Sequence, residues 1–207
     1  MIVWGTSLSP FARKVLGFLS EKKIPVEHRP VTPQVDIAEF RACSPVGKIP
    51  AIDDDGYRLA DSSAICHYLE RKYPEPALFP KDAKSFGRMM WWEEYSDTIL
   101  VPAAGQIFFQ LVVRPRLLRE QPDMAVVDKA LTTDCPRVFA HLEKEISGPF
   151  IVGDRISLAD IALHCVFINL KLAGHPLDAE RWPNLGGYIA GLMARPTLGT
   201  IRDPKAA

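Results

Sequence analysis

The sequence predicts an α/β domain followed by an all-helical domain, and three observations predict it. The first 76 residues alternate strand-like and helix-like stretches and contain a hairpin signature at Asp54-Asp55-Gly56. A stretch with three prolines follows, residues 73–84 (YPEPALFPKDAK). Beyond it, apolar residues recur only at helical spacing. The domains are therefore expected at residues 1–76 and 85–207, with residues 77–84 as linker.

The elements follow in order. Residues 1–5 (MIVWG) are a short β-rich start, and TSLSP after them is rich in chain breakers. From Pro10 the spacing of Phe11, Val15, Phe18 and Leu19 is helical, with Ser9 as cap and Pro10 at the first helical position. A second strand is expected over residues 26–29 and a brief helix over 36–43. Residues 51–53 and 57–60 flank the turn of a hairpin, and Asp61-Ser62-Ser63 then caps a helix that ends before Pro74. The order is β-α-β-α-β-β-α.

In the second part, helix is expected over residues 85–101 and beyond Pro102 as far as Pro115, then over 123–146, 156–172 and 183–195. Ser157-Leu158-Ala159-Asp160 reads as a capping box with Asp160 in place of Glu, stapled by Ile156 and Ile161.

Composition excludes several functions. The 207 residues carry 25 Lys+Arg against 25 Asp+Glu, and residues 1–76 hold ten of each. Such neutrality, spread evenly, argues against nucleic-acid binding and against a polybasic membrane anchor. Cys43, Cys66, Cys135 and Cys165 show neither CxxC nor zinc spacing and do not read as a disulfide framework. The N-terminal stretch breaks its apolar run at Pro10, Arg13 and Lys14, unlike a signal peptide. The longest uncharged run, residues 98–113, is too short to span a bilayer. A cytoplasmic protein, with no membrane partner, is expected.

Four segments, WGTSLSPFARKV, GKIPAI, DSSAICHYL and DRISLADIAL, carry a resemblance that covers essentially the whole chain. In this order the chain resembles the soluble glutathione transferase family with a serine-type active site. The resemblance implies a thioredoxin-like N-terminal domain that binds glutathione as cosubstrate and an all-helical domain that shapes the electrophile pocket. It also implies a homodimer, a small apolar electrophile or organic peroxide as second substrate, and no permanently bound cofactor or metal.

The resemblance makes Ser9 the residue that stabilises the glutathione thiolate. The chemistry agrees, since a thiol with a pKa of about 8.5 is mostly protonated at neutral pH. A hydroxyl donor at a helix start, where the field contributes about 0.3–1 kcal/mol, favours the thiolate. Ser9 can also be a plain helix cap, and Ser7 is the rival hydroxyl. No cysteine occupies this loop, against a disulfide-exchange variant.

Arg13 lies one turn further along and can add positive potential. Phe11 belongs to the implied glutathione site. In the family the proline at Pro50 is cis, and the backbone of the preceding residue, Ile49, pairs with the cysteinyl part of glutathione as an added strand. Lys48 can reach a carboxylate or be a solvated lysine. Ser62, by resemblance, holds the γ-glutamyl carboxylate and Asp61 faces the amino group, a plain cap being the alternative. For the glycine carboxylate only Gln34 offers itself where relatives place a basic residue.

Other features have plainer readings. Asp53-Asp54-Asp55 is a polar turn rather than an acid/base pair. Asp160 and His164 share a helix face, but Asp160 belongs to the capping box and His164 lies among apolar neighbours. Asp97 is a surface charge or reaches a partner's site. Met89, Met90, Trp91, Trp92, Phe108, Phe109, Val112 and Val113 serve packing, a subunit interface or an electrophile pocket. Two other functions keep the same fold: a non-catalytic glutathione-binding or adaptor protein, and a glutathione-dependent isomerase or dehalogenase.

Overall fold

A computed structural model describes residues 1–31 and 37–199. Gln34 lies outside the described residues, as does the start of the helix expected from residue 36. Contacts divide the chain into Met1–Pro80 with residues 195–199 on one side and Lys81–Ala194 on the other. Residues 77–80, read from the sequence as linker, group with the first unit, and so does the described C-terminal segment.

The first unit runs β1 (Ile2–Trp4), α1 (Pro10–Glu21), β2 (Glu27–Arg29), α2 (Ala38–Cys43), β3 (Ala51–Asp54), β4 (Tyr57–Ala60) and α3 (Ser62–Lys72). This is the expected order. The sheet order is β2-β1-β3-β4; β2 is parallel to β1, and β3 and β4 are antiparallel to their neighbours. Asp55 and Gly56 both take positive φ in the two-residue turn, which matches the strand twist and explains the Asp-Gly pair.

Alternation along the strands sorts the two faces. Trp4 and Ala51 are register partners and pack with Phe40 and Cys43 of α2. Val3 and Ile52, also partners and fully buried, point the other way, to the side of α1 and α3. Those two helices pack on each other and bury Val15, Phe18, Leu19, Ile65 and Leu69. Burying five such side chains contributes roughly 1.5–3 kcal/mol each.

The proline-rich stretch is tied down. Lys22, with no exposed side-chain surface, donates to the carbonyls of Tyr73 (2.6 Å) and Pro76 (2.8 Å) and pairs with Glu70. Glu70 in turn accepts from the amides of Leu78 and Phe79, each at 3.1 Å. At the far end, a helical turn, Pro196–Gly199, packs on α1, held by Arg195 and Thr197 on Glu21.

The second unit is helical. Ala83–Leu118 is one continuous run: α4 (Ala83–Tyr95), a π-helical segment Ser96–Leu100, α5 (Val101–Phe108) and a π-helical segment Phe109–Leu118. It passes Pro115, where the sequence pattern ends the helix; the proline lies inside the second π-helical segment, and the run ends at Leu118, before Arg119 in the left-handed region. By length and composition this run is long and apolar enough to cross a bilayer, unlike the shorter uncharged stretch within it, and it packs against α8. Then come α6 (Met124–Lys129), the π-helical Ala130–Asp134, α7 (Cys135–Glu145), α8 (Leu158–Leu172) and α9 (Pro183–Ala194).

Helix α8 is buried all round from Leu158 to Leu170 and is the axis of this unit. Its capping box forms as the sequence indicates, with Ile156 and Ile161 buried beside it. Asp160 does more than cap: it accepts from the amides of Ile151 and Ser157 and the hydroxyls of Ser157 and Tyr188, all at 2.8 Å. Burial pushes its carboxyl above the usual range, against the pull of these donors.

Candidate active site

Ser9 is the N-cap of α1 in extended conformation, and its hydroxyl oxygen accepts from the amide of Ala12 at 3.3 Å. That bond fixes the oxygen and leaves the hydroxyl proton to point elsewhere. The loop before it is a tight turn, with the Ser9 amide donating to Thr6 O at 3.0 Å and the Leu8 amide to Thr6 Oγ1 at 3.3 Å. Ser7 stands inside this turn, two residues short of the helix cap.

Gly5, at the end of β1, joins this loop to the third corner of the site. Its φ is +147°, and a Cβ there would lie 3.0 Å from Ala12 Cβ, 3.4 Å from Ile49 Cβ and 3.6 Å from Pro50 Cα. The first turn of α1 and the Ile49-Pro50 bond, which is cis, therefore meet across a glycine that has room for no side chain. Ile49 is half-buried and Pro50 buried.

Lys48 is exposed, and its carbonyl is held by Ser44 Oγ at 2.7 Å. At the preceding residue, the guanidinium of Arg41 lies across Gly47, with Cζ 3.0 Å from where a Cβ would stand and Nη1 closer still. Only glycine permits that approach. Arg41, in the last turn of α2, is an exposed basic residue beyond Gln34 in the same connection between β2 and β3. The signal available was a cation at the end of a short expected helix, six residues before Gly47.

Asp61 takes φ +80° and caps α3, with one carboxylate oxygen accepting from the amides of Ser63 and Ala64, both at 3.0 Å. Ser62, the first helical residue, is buried. Two helix starts, α1 and α3, thus both carry serine hydroxyls, and Lys14 ties them together. Its Nζ lies 3.2 Å from Ser63 Oγ and 5.9 Å from the Phe11 ring. Arg13 and Lys14 are buried, so Arg13 is an interior cation rather than a surface one. Phe11 is half-buried.

The remaining candidates divide. Asp53 accepts from the Gly56 amide at 2.9 Å and Arg58 Nε at 3.1 Å, and Asp54 is engaged by Tyr68 and Lys72; both carboxylates are structural. His164 is buried on α8, and among the described residues no group of three or more His, Cys, Asp or Glu could hold a metal. All four cysteines are buried and none is in a disulfide, and burial pushes the Cys135 thiol up to about 12. Asp97 lies in the π-helical segment after α4, half-buried. Met89, Trp92, Phe108 and Val112 are core, whereas Trp91 and Phe109 are exposed.

A family profile described as glutathione S-transferase, N-terminal domain, matches residues 4–77, and one described as glutathione S-transferase, C-terminal domain, matches residues 124–191. Glutathione S-transferase hmp2 of Hypomyces subiculosus is 32% identical over 206 residues, covering 94% of each chain. Glutathione S-transferase 3 of Zea mays is 34% identical, covering 95% of this chain and 90% of its own. The solved structure of glutathione S-transferase I from mais, in complex with an atrazine glutathione conjugate, superposes with a TM-score of 0.87 at 25% identity over 99% of both chains. The chain belongs to the glutathione S-transferase family. Its activity class is that of a glutathione transferase.

Proposed function

We propose that Ser9 holds the thiol of glutathione as its thiolate for attack on an apolar electrophile or for reduction of an organic peroxide. The observation that carries this is the Ser9 cap: an oxygen fixed by Ala12 N–H, a proton free to donate, and the cis Ile49-Pro50 bond packed across Gly5. Donation to sulfur and the helix field both favour the anion. In conjugation the thiolate forms the carbon–sulfur bond while the leaving group departs with its electron pair.

The other contacts follow the tripeptide outward. Ile49 pairs its backbone with the cysteinyl residue, as an added strand. Ser62 and the α3 start receive the γ-glutamyl carboxylate, while the second oxygen of Asp61 takes the amino group. Lys48 and Arg41 take the glycine carboxylate, with Gln34 as a further donor, and Phe11 contributes apolar surface. Of the apolar candidates, exposed Phe109 and half-buried Val113 offer surface to the electrophile, with Phe108 and Val112 packed beneath them in the core. The protein acts in detoxification in the cytoplasm as a homodimer, for which exposed Trp91 and Ile99 supply apolar surface.

The test is conjugation of a chlorodinitrobenzene-type substrate by wild type and Ser9→Ala. The variant is expected to lose on the order of a hundredfold in kcat, as for removal of one anion-stabilising donor. Undiminished turnover removes Ser9 from the mechanism. Retention on glutathione-agarose with no turnover over a broad electrophile panel makes the protein a binder instead.

A further inference from the structure

The two backbone polar groups of Gly5 go to consecutive residues of β2. Its amide donates to the carbonyl of Arg29 at 3.1 Å, and its carbonyl lies 2.6 Å from Nε2 of His28. A carbonyl only accepts, so Nε2 carries the proton and the ring is the donor.

His28 is the register partner of Val3 in the parallel β1–β2 pair, and its ring reaches past that partner to Gly5. Arg29, the next residue, alternates to the other face and stacks over Trp4 at 5.1 Å. His28 is therefore the residue of β2 whose side chain grips the exit of β1. On its far side Gly5 has no slack, since Ala12, Ile49 and Pro50 close around the position of its missing Cβ.

The geometry points to His28 as a positioning residue for the reaction. By holding the Gly5 carbonyl, it sets where the short turn from Thr6 delivers the Ser9 hydroxyl relative to Ile49-Pro50. This rests on the reading of Ser9 as the hydrogen-bond donor to the thiolate. Misplacing a reacting group by about 1 Å costs on the order of a hundredfold in rate, so a single well-placed clamp at this joint matters.

The experiment compares His28→Ala with His28→Gln, whose amide nitrogen extends about as far as Nε2. His28→Ala is expected to lower kcat by about tenfold to a hundredfold, with KM for glutathione changed less than about threefold. The thiolate absorbance of bound glutathione should then titrate at higher pH. His28→Gln should recover most of both. A purely structural role would leave the titration of bound thiol unmoved and show no recovery by Gln. Wild-type kcat and titration in His28→Ala overturn the proposal.

Two further measurements separate it from the Ser9 reading. Ring 15N NMR of the wild-type protein should show the Nε2–H tautomer for His28; an Nδ1–H tautomer overturns the clamp whatever Ser9 does. The double variant Ser9→Ala/His28→Ala should be no slower than Ser9→Ala alone. A further tenfold fall shows that His28 does not act through Ser9, whereas full activity of Ser9→Ala removes the Ser9 reading itself.

Discussion

Lys22 Nζ lies 2.6 Å from the Glu70 carboxylate, and this pair fastens the proline-rich segment to the first unit. Lys22 is the C-cap of α1 and Glu70 is on α3. Between them they take up two carbonyls and two amides of residues 73–79. Removing one partner of a buried ion pair strands the other, at a cost of about 3–5 kcal/mol. Lys22→Met is therefore expected to lower the urea midpoint strongly, and an unchanged midpoint would show that the network contributes nothing.

A second pair sets part of the acid limb of stability. Desolvation of Asp54 opposes its charge, but hydrogen bonds from Lys72 and Tyr68 outweigh it and hold the carboxyl below its usual value. A depressed carboxylate pKa stabilises the fold above the unfolded value of about 3.9, and that contribution disappears as pH falls through the folded pKa. Asp54→Asn should be less stable than wild type at pH 7, with the gap narrowing at about pH 3 and below. Denaturation curves at the two pH values check this; a gap independent of pH would refute the assignment.

The carboxylate at the foot of α8 behaves in the opposite sense. Burial raises the Asp160 pKa, so between the unfolded value and the folded one the native state holds a proton that the unfolded chain has lost. Stability from this group falls as pH rises through that window. Tyr188→Phe removes one of four donors and should cost about 1–1.5 kcal/mol, while Asp160→Ala strands all four and should cost more than about 3 kcal/mol. Thermal denaturation of the two variants tests the ranking.

Much of this was legible because its causes are local. The Ser9 cap, the Asp55-Gly56 turn, the Asp61 cap and the Ser157–Asp160 box each lie within a few residues of their partners, and each was read from the sequence. What escaped shares one property: its partners are far away in the chain. Lys22 looks like a solvated lysine until Tyr73, Pro76 and Glu70 are placed beside it. His28 is an isolated histidine in a three-residue strand, with nothing in its neighbours to mark the contact with Gly5. Pro115 signals a helix end, yet a π turn carries the helix past it. Nothing local marks the approach of Arg41 to Gly47, because it depends on how the chain returns after α2.

The return of residues 195–199 to α1 joins parts of the chain far apart in sequence. Arg195 makes two hydrogen bonds to Glu21, at 2.9 and 2.7 Å, Thr197 adds its hydroxyl, and Ser20 donates to the Thr197 carbonyl at 2.7 Å. Glu21 is nearly buried, so its carboxylate depends on these donors. A chain ending at Ala194 leaves it with none of them and also uncovers the surface of α1 under Leu198, which is fully buried. Loss of a charge-assisted bidentate pair at such a site costs about 1.5–3 kcal/mol, before the apolar loss is added. The truncated protein should unfold at lower temperature, and Glu21→Gln in the full chain should reproduce part of the shift. If truncation leaves the melting temperature unchanged, the segment contributes nothing to the unit it packs on.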